Sequence, residues 1–278
     1  MCRLYGFMAT EPTRLECSLV EAQNALQAQS NRDGRGIRNA DGWGIARWRS
    51  GRPDVIRSTE PAFADPEFAV EAEATRSSAV LAHVRAATVG DVLPNNVHPF
   101  RHGPWAFAHN GTLTAHSALA ARLLEGALGT PRGTTDSDLI FRWLLGRMPD
   151  FGLDPHRPAD YAEGLASLLE VAVLDLVRWS IDVPGAEPPL LNLMLSDGKH
   201  LAASRWGNTL FWTTRDGVPD CAVCGTNHCP DAGASYRAVV VASEPITDEE
   251  WAEVPEGAVL AVEDGGGVTV RNLLTRTG

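Results

Sequence analysis

A cysteine stands at position 2, behind an initiator methionine, in the segment Met1-Cys2-Arg3-Leu4-Tyr5-Gly6-Phe7. Removal of Met1, which we expect, gives Cys2 a free α-amino group beside its own thiol. An α-amine titrates near ~7.7–8.0 and a thiol near ~8.5, so the amine can take the thiol proton at neutral pH. One residue then supplies both nucleophile and base. The apolar run from Arg3 to Ala9 predicts a short strand that would hold this terminus still.

Three further stretches carry polar groups at the end of a predicted strand or the start of a predicted helix. They are Arg85-Ala86-Ala87-Thr88, His109-Asn110-Gly111 and Thr134-Thr135-Asp136-Ser137. Each alone has a plain structural explanation: an ion pair for Arg85, a turn for Asn110-Gly111, a helix cap for Asp136. The elements that would position them are legible from periodicity. Buried strands are predicted over Ser78 to Ala86 and Trp105 to His109, and helices over Thr112 to Glu125 and Asp136 to Arg147. Gly42 to Trp48 reads as a strand whose glycines admit a close backbone or ligand.

The remaining elements follow the same rules. Leu15, Leu19, Ala22 and Leu26 recur at helical spacing and predict a first helix over Thr13 to Gln29, with Thr13 as N-cap and Glu16 closing a capping box. Pro155 to Trp179 predicts a longer helix. Strands then follow at Leu190 to Leu195, His200 to Ser204 across an Asp197-Gly198 turn, Thr209 to Thr214, Arg237 to Ala242, Ala258 to Val262 and Val268 to Leu273. Strands, then helices, then strands predict an α+β layered sandwich with largely antiparallel sheets, read as one domain over residues 2–278.

A net charge of -11 with no basic stripe argues against nucleic acid and anionic membranes as partners, leaving small-molecule chemistry. There is no apolar run of about 18 residues, and Arg3 and Glu11 interrupt the N-terminal stretch, so a cytoplasmic location is expected. Five cysteines, an odd count, suit a reducing compartment better than a disulfide framework. Cys221, Cys224, His228 and Cys229 fall within nine residues. They are either a zinc clip or unligated thiols on a surface loop, and the adjacency of His228 and Cys229 favours the loop. No catalytic metal or cofactor is expected.

Taken together, Met1-Cys2-Arg3-Leu4, Asp41-Gly42-Trp43-Gly44, His83-Val84-Arg85, Asn96-Val97-His98-Pro99-Phe100, Ala108-His109-Asn110-Gly111 and Val241-Ala242-Ser243-Glu244-Pro245 resemble the glutaminase domain of class II glutamine amidotransferases. The order and spacing of these motifs behind Cys2 make the set specific, and the resemblance spans roughly Cys2 to Ala261. It is similar above all to short, stand-alone members such as the γ-glutamyl amidohydrolase of ergothioneine biosynthesis. The resemblance implies a four-layer αββα sandwich of the Ntn-hydrolase type and a thioester on Cys2. It further implies that Arg85 takes a substrate α-carboxylate, that Asp136 takes the α-ammonium, that Asn110 and Gly111 form an oxyanion hole and that Thr88 touches substrate. Val89 departs from relatives that hold histidine there. The expected substrate is glutamine or a γ-glutamyl amide, with the loops Arg32 to Trp43, Asp91 to His98 and 221–229 forming the leaving-group wall. The alternative is an ammonia-supplying subunit docked to a synthase partner, since the chain leaves no room for a synthase domain.

Overall fold

Side-chain alternation along the strands, apolar on both faces, builds the core. In β1 (Arg3–Arg14) the odd residues Tyr5 and Phe7 pack on one side and the even residues Leu4 and Met8 on the other. A strand buried on both faces must lie inside a layered fold, and that is where β1 sits. The computed structural model describes residues 2–217, 221, 223–229 and 235–273. The further strands are β2 (Trp43–Arg49), β3 (Arg52–Ser58), β4 (Arg76–Val84), β5 (Phe100–His102), β6 (Trp105–Thr112), β7 (Leu190–Ser196), β8 (Leu201–Arg205), β9 (Phe211–Asp216), β10 (Arg237–Ala242), β11 (Ala252–Glu253), β12 (Ala258–Val262) and β13 (Val268–Asn272). The α-helices are α1 (Leu26–Asn31), α2 (Pro66–Ala74), α3 (His116–Glu125), α4 (Asp136–Arg147) and α5 (Ala162–Ile181).

Two antiparallel sheets result, one ordered β11-β9-β10-β1-β4-β2-β3 and the other β13-β12-β8-β7-β6-β5. Between them lies an apolar layer of Leu4, Met8, Leu81, Ala106, Met194, Leu201, Val241 and Leu260 among others. The outer face of the second sheet is covered by α3, α4 and α5, and that of the first by α1 and α2. This is the expected αββα sandwich. The sheets approach closely at Gly6, where a Cβ would lie 2.7 Å from the Met194 sulfur, so a side chain at this position would have to displace Met194 and Leu201.

Several elements differ from the sequence reading. No single helix spans Thr13 to Gln29. β1 continues to Arg14, Cys17–Glu21 forms a π-turn and α1 begins only at Leu26. Thr13 caps nothing; its hydroxyl contacts Tyr236 Oη at 2.9 Å. The periodic residues Leu15, Leu19, Ala22 and Leu26 do all pack on the outer face of the first sheet, so the spacing reported a buried face correctly while the backbone broke beneath it. β3 and α2 fall in a stretch with no predicted element, although Asp65-Pro66-Glu67 is a helix start: the Asp65 carboxylate accepts the Glu67 N–H at 3.0 Å. α3 starts at His116 and α5 at Ala162, both later than predicted, while α4 has the predicted bounds. Among the described residues no helix is long and apolar enough to cross a membrane.

Candidate active site

Antiparallel pairing gathers the site at one end of the first sheet. Arg3 pairs with Val84 and Tyr5 with Ala242, so the start of β1 meets the ends of β4 and β10. Cys2 therefore lies against the residues just past β4. The Ala86 N–H donates to its sulfur at 3.3 Å, and the thiol reaches the Ala86 carbonyl at 3.4 Å. Burial pushes the Cys2 thiol up, against the pull of the Ala86 N–H and the Arg85 charge. A thiol so placed needs a base.

Arg3 anchors this terminus from below. Its guanidinium donates to the Cys2 carbonyl at 2.9 Å and forms ion pairs of 2.7 Å with both Asp33 and Glu244. Glu244 in turn accepts the Gly34 N–H at 3.0 Å, tying the loop after α1 to the same point. Nothing local to Arg3 or Glu244 assigns either of them a place beneath Cys2. A basic and an acidic residue 241 positions apart carry no local signal that they meet.

Arg85 is buried, and its guanidinium donates to the carbonyls of Val89, Gly90 and Asp91 at 3.0, 3.2 and 3.1 Å. No carboxylate of the described residues pairs with it, so the structural ion pair is absent. Asp41 holds the backbone on either side: its N–H donates to the Arg85 carbonyl at 2.9 Å and its carboxylate accepts the Ala87 N–H at 2.7 Å. Thr88, exposed at the rim, contacts Thr112 Oγ1 at 2.8 Å, which connects this segment to the end of β6 in the other sheet.

Asn110 and Gly111 are strand residues, paired with Asn192 and Leu191 of β7, and not a turn. Asn110 is buried; its Nδ2 lies 3.3 Å from Ser243 Oγ, its carbonyl accepts from Asn208 Nδ2 at 3.1 Å, and its Oδ1 has no donor. The same Ser243 hydroxyl accepts the Leu4 N–H at 2.9 Å, placing Asn110 one bridging group from the nucleophile's own strand. His109 is structural. Its Nε2 donates to the Leu190 carbonyl, a pure acceptor, and its Nδ1 is hydrogen-bonded with Ser137 Oγ, each at 2.9 Å.

Asp136 is the first residue of α4, and the cap is Thr135, whose hydroxyl accepts the Asp138 N–H. The buried Asp136 carboxylate accepts the Leu113 N–H at 2.7 Å and the Ser137 N–H at 2.8 Å, and no cation of the described residues pairs with it. Asn96 connects the two charged groups. Its amide donates to the Asp91 carbonyl and its oxygen accepts the Thr134 N–H, joining the Arg85 cradle to the entry of α4. His83 and His98 lie beside this frame with ring centroids 4.3 Å apart and planes tilted by 48°; burial takes His83 down to about 3 and His98 well below its usual range, so both stay neutral. Gly44 lies against the His98 carbonyl with no room for a Cβ, the close backbone approach expected of that glycine.

Cys2, Arg85, Thr88, Asn110 and Asp136 are thus linked through hydrogen bonds of neighbouring residues, with Gly111 next to Asn110 in β6. The 221–229 loop does not reach this group. Arg14 donates to the His228 carbonyl and the Cys229 thiol contacts the Pro12 carbonyl, so the loop packs at the opposite end of β1 and forms no wall around Cys2.

Known proteins resemble the chain throughout its length. A γ-glutamyl-hercynylcysteine sulfoxide hydrolase of Mycolicibacterium smegmatis is 32% identical, over 95% of this chain and 96% of that protein. A probable glutamine amidotransferase of Saccharomyces cerevisiae is 28% identical, over 95% and 82%. Among solved structures, a predicted glutamine amidotransferase from Pseudomonas aeruginosa superposes with a TM-score of 0.63 at 26% identity, covering 97% of this chain and 100% of that one. The family profile described as "Glutamine amidotransferases class-II" matches residues 1–276, and the chain belongs to that family.

Proposed function

We propose that the protein, acting as one glutaminase-type unit over residues 2–278, hydrolyses the γ-amide of a γ-glutamyl compound through a thioester on Cys2. The observation that carries this reading is the pair of buried charges with no counter-charge among the described residues: the Arg85 guanidinium held by backbone carbonyls and the Asp136 carboxylate held by two backbone N–H groups and the Ser137 hydroxyl. An isolated buried charge is costly. A ligand bearing both an α-carboxylate and an α-ammonium satisfies the two at once, and a glutamyl group is such a ligand. Both charges act on the Cys2 thiol, Arg85 pulling its titration down and Asp136 pushing it up, which supports a γ-carbonyl held near the sulfur.

The chemistry follows from the same groups. With Met1 removed, the Cys2 amine takes the thiol proton, sulfur attacks the γ-carbon and the amine returns the proton to the departing nitrogen; water then releases glutamate. Asn110 stabilises the oxyanion. Leu4 already donates to Ser243 Oγ, so that hydroxyl's own proton needs an acceptor. A half-turn of the Asn110 amide gives it Oδ1, removes the orphaned oxygen and leaves Nδ2 as an unspent buried donor. Such a donor is worth about 2.7–4 kcal/mol once the oxyanion forms.

The leaving amine is larger than ammonia. The loops 32–43 and 91–98, joined to the site through Asp41 and Asp91, expose Ile37, Val92 and Leu93, apolar surface that ammonia would not use. The mycobacterial relative's name specifies a γ-glutamyl compound of this kind. Five free cysteines fit work in a reducing cytoplasm. Intact mass after exposure to an electrophilic glutamine analogue should show a chain beginning at Cys2 and carrying one label. A kcat/KM comparison across γ-glutamyl amides should place glutamine below larger amides. Glutamine best by tenfold or more would instead favour an ammonia donor with a synthase partner.

A further inference from the structure

Four soft ligands converge at the far end of β1. Cys17, in the π-turn three residues past the strand, meets Cys221, Cys224 and His228 from the segment between β9 and β10, and their ligand atoms all lie within 4.8 Å of one another. Cys17 Sγ is 3.5 Å from Cys221 Sγ, and Cys224 Sγ is 3.1 Å from His228 Nε2. Two sulfurs at 2.3 Å from a tetrahedral zinc stand about 3.8 Å apart, and a sulfur and a nitrogen about 3.6 Å. The observed spacings bracket those of a coordinated set, whereas a disulfide needs about 2.05 Å and would leave the other two ligands unused.

The backbone is shaped for the same purpose. Cys221-Ala-Val-Cys224-Gly225 closes on itself, with the Gly225 N–H donating to the Cys221 carbonyl at 2.8 Å and Gly225 at φ +68, so both thiols of the Cys-x-x-Cys pair face one point. His228 is fixed by its carbonyl, which accepts the Arg14 N–H at 3.0 Å. Cys229 donates instead to the Pro12 carbonyl at 3.5 Å and stays outside the ligand set. Its removal from the set and the arrival of Cys17 relieve the crowding that an adjacent His228 and Cys229 would cause. Cys17, Cys221 and His228 line a cavity of about 580 Å³ whose walls include none of Cys2, Arg85, Asn110 or Asp136.

We propose that Cys17, Cys221, Cys224 and His228 bind one zinc ion in a closed, four-coordinate structural site. Three thiols release their protons to solvent as the metal enters, and His228 binds through neutral Nε2. All four positions are filled by protein, so the ion has no opening for substrate or water and serves as a cross-link. It fastens the end of β1 to a segment 204 residues away, next to the strand partner β10. Closing so long a loop constrains the unfolded chain strongly.

The test uses the full chain purified with a non-chelating reductant. Metal analysis should find one zinc per chain, and cobalt exchange should give the intense visible bands of a tetrahedral site with thiolate charge transfer. Cys17→Ser and Cys224→Ser should lose the metal and melt several degrees lower, whereas Cys229→Ser should keep it; glutamine turnover by folded Cys17→Ser should stay within about twofold of the parent. A wild-type chain that takes up neither zinc nor cobalt while its thiols remain reduced overturns the site. Stoichiometric zinc in Cys17→Ser, or its loss in Cys229→Ser, overturns the ligand set. The cobalt spectrum of the unmutated chain decides the matter even if a variant fails to fold.

Discussion

β1 carries a cysteine beyond each end, and the two have opposite surroundings. Cys2 lies among polar groups left uncompensated by the described residues: Arg85 has no carboxylate, Asp136 no cation, and one end of the Asn110 amide no partner. Cys17 lies among groups that face one another and need only a metal to be complete. A site that awaits a ligand of the right shape is built to bind and turn over, while a closed set of ligands is built to hold. Chemistry should therefore be lost by changes at one end of the strand and stability by changes at the other.

The largest effect expected is from Cys2→Ala, which should lower kcat by at least ~10³-fold while leaving melting temperature and zinc content unchanged. Substantial residual turnover would remove Cys2 as nucleophile and erase the contrast. Next comes Asn110→Ala, with kcat reduced by ~10²–10³ and KM little changed. Arg85→Ala and Asp136→Asn should instead raise KM more than they lower kcat, because they read the α-amino-acid end in ground and transition states alike. Steady-state kinetics on the three variants checks the split, and an Asn110→Ala enzyme with full kcat would take that residue out of the oxyanion hole.

At the other end, chelation should lower the melting temperature by several degrees without abolishing turnover at a temperature where the protein stays folded. Immediate loss of activity on chelation, with the fold intact by circular dichroism, would contradict a purely structural metal.

The smallest effect concerns the anchor beneath Cys2. Burial works against ionising Asp33, but the Ile37 N–H and the Arg3 guanidinium more than offset it and hold its carboxyl below the ordinary 3.8. A depressed folded value contributes stability that is full above 3.8 and is lost as pH falls through the folded value. Asp33→Asn should cost about 1–2 kcal/mol at pH 7, with the gap to the parent closing below pH 3.8 in denaturant titrations. A gap independent of pH would assign the loss to packing.

The sequence by itself determined the layered class, because strands, then helices, then strands must stack to bury their apolar faces, and the unbroken apolar run Leu4 to Met8 marks β1 as buried on both sides. It also determined α4 with Asp136 at its opening, since the Thr135 cap and the apolar spacing after it are local. The αββα arrangement and the six proposed site positions were implied by the family resemblance that the motif order behind Cys2 carries. Tertiary structure alone decided what is non-local. Thr13 and Cys17 were read into a helix because a break in the backbone leaves apolar spacing intact. Arg3 and Glu244, and Cys17 and Cys221, meet across more than 200 residues, and strand pairing, which no local pattern records, is what brings them within bonding distance.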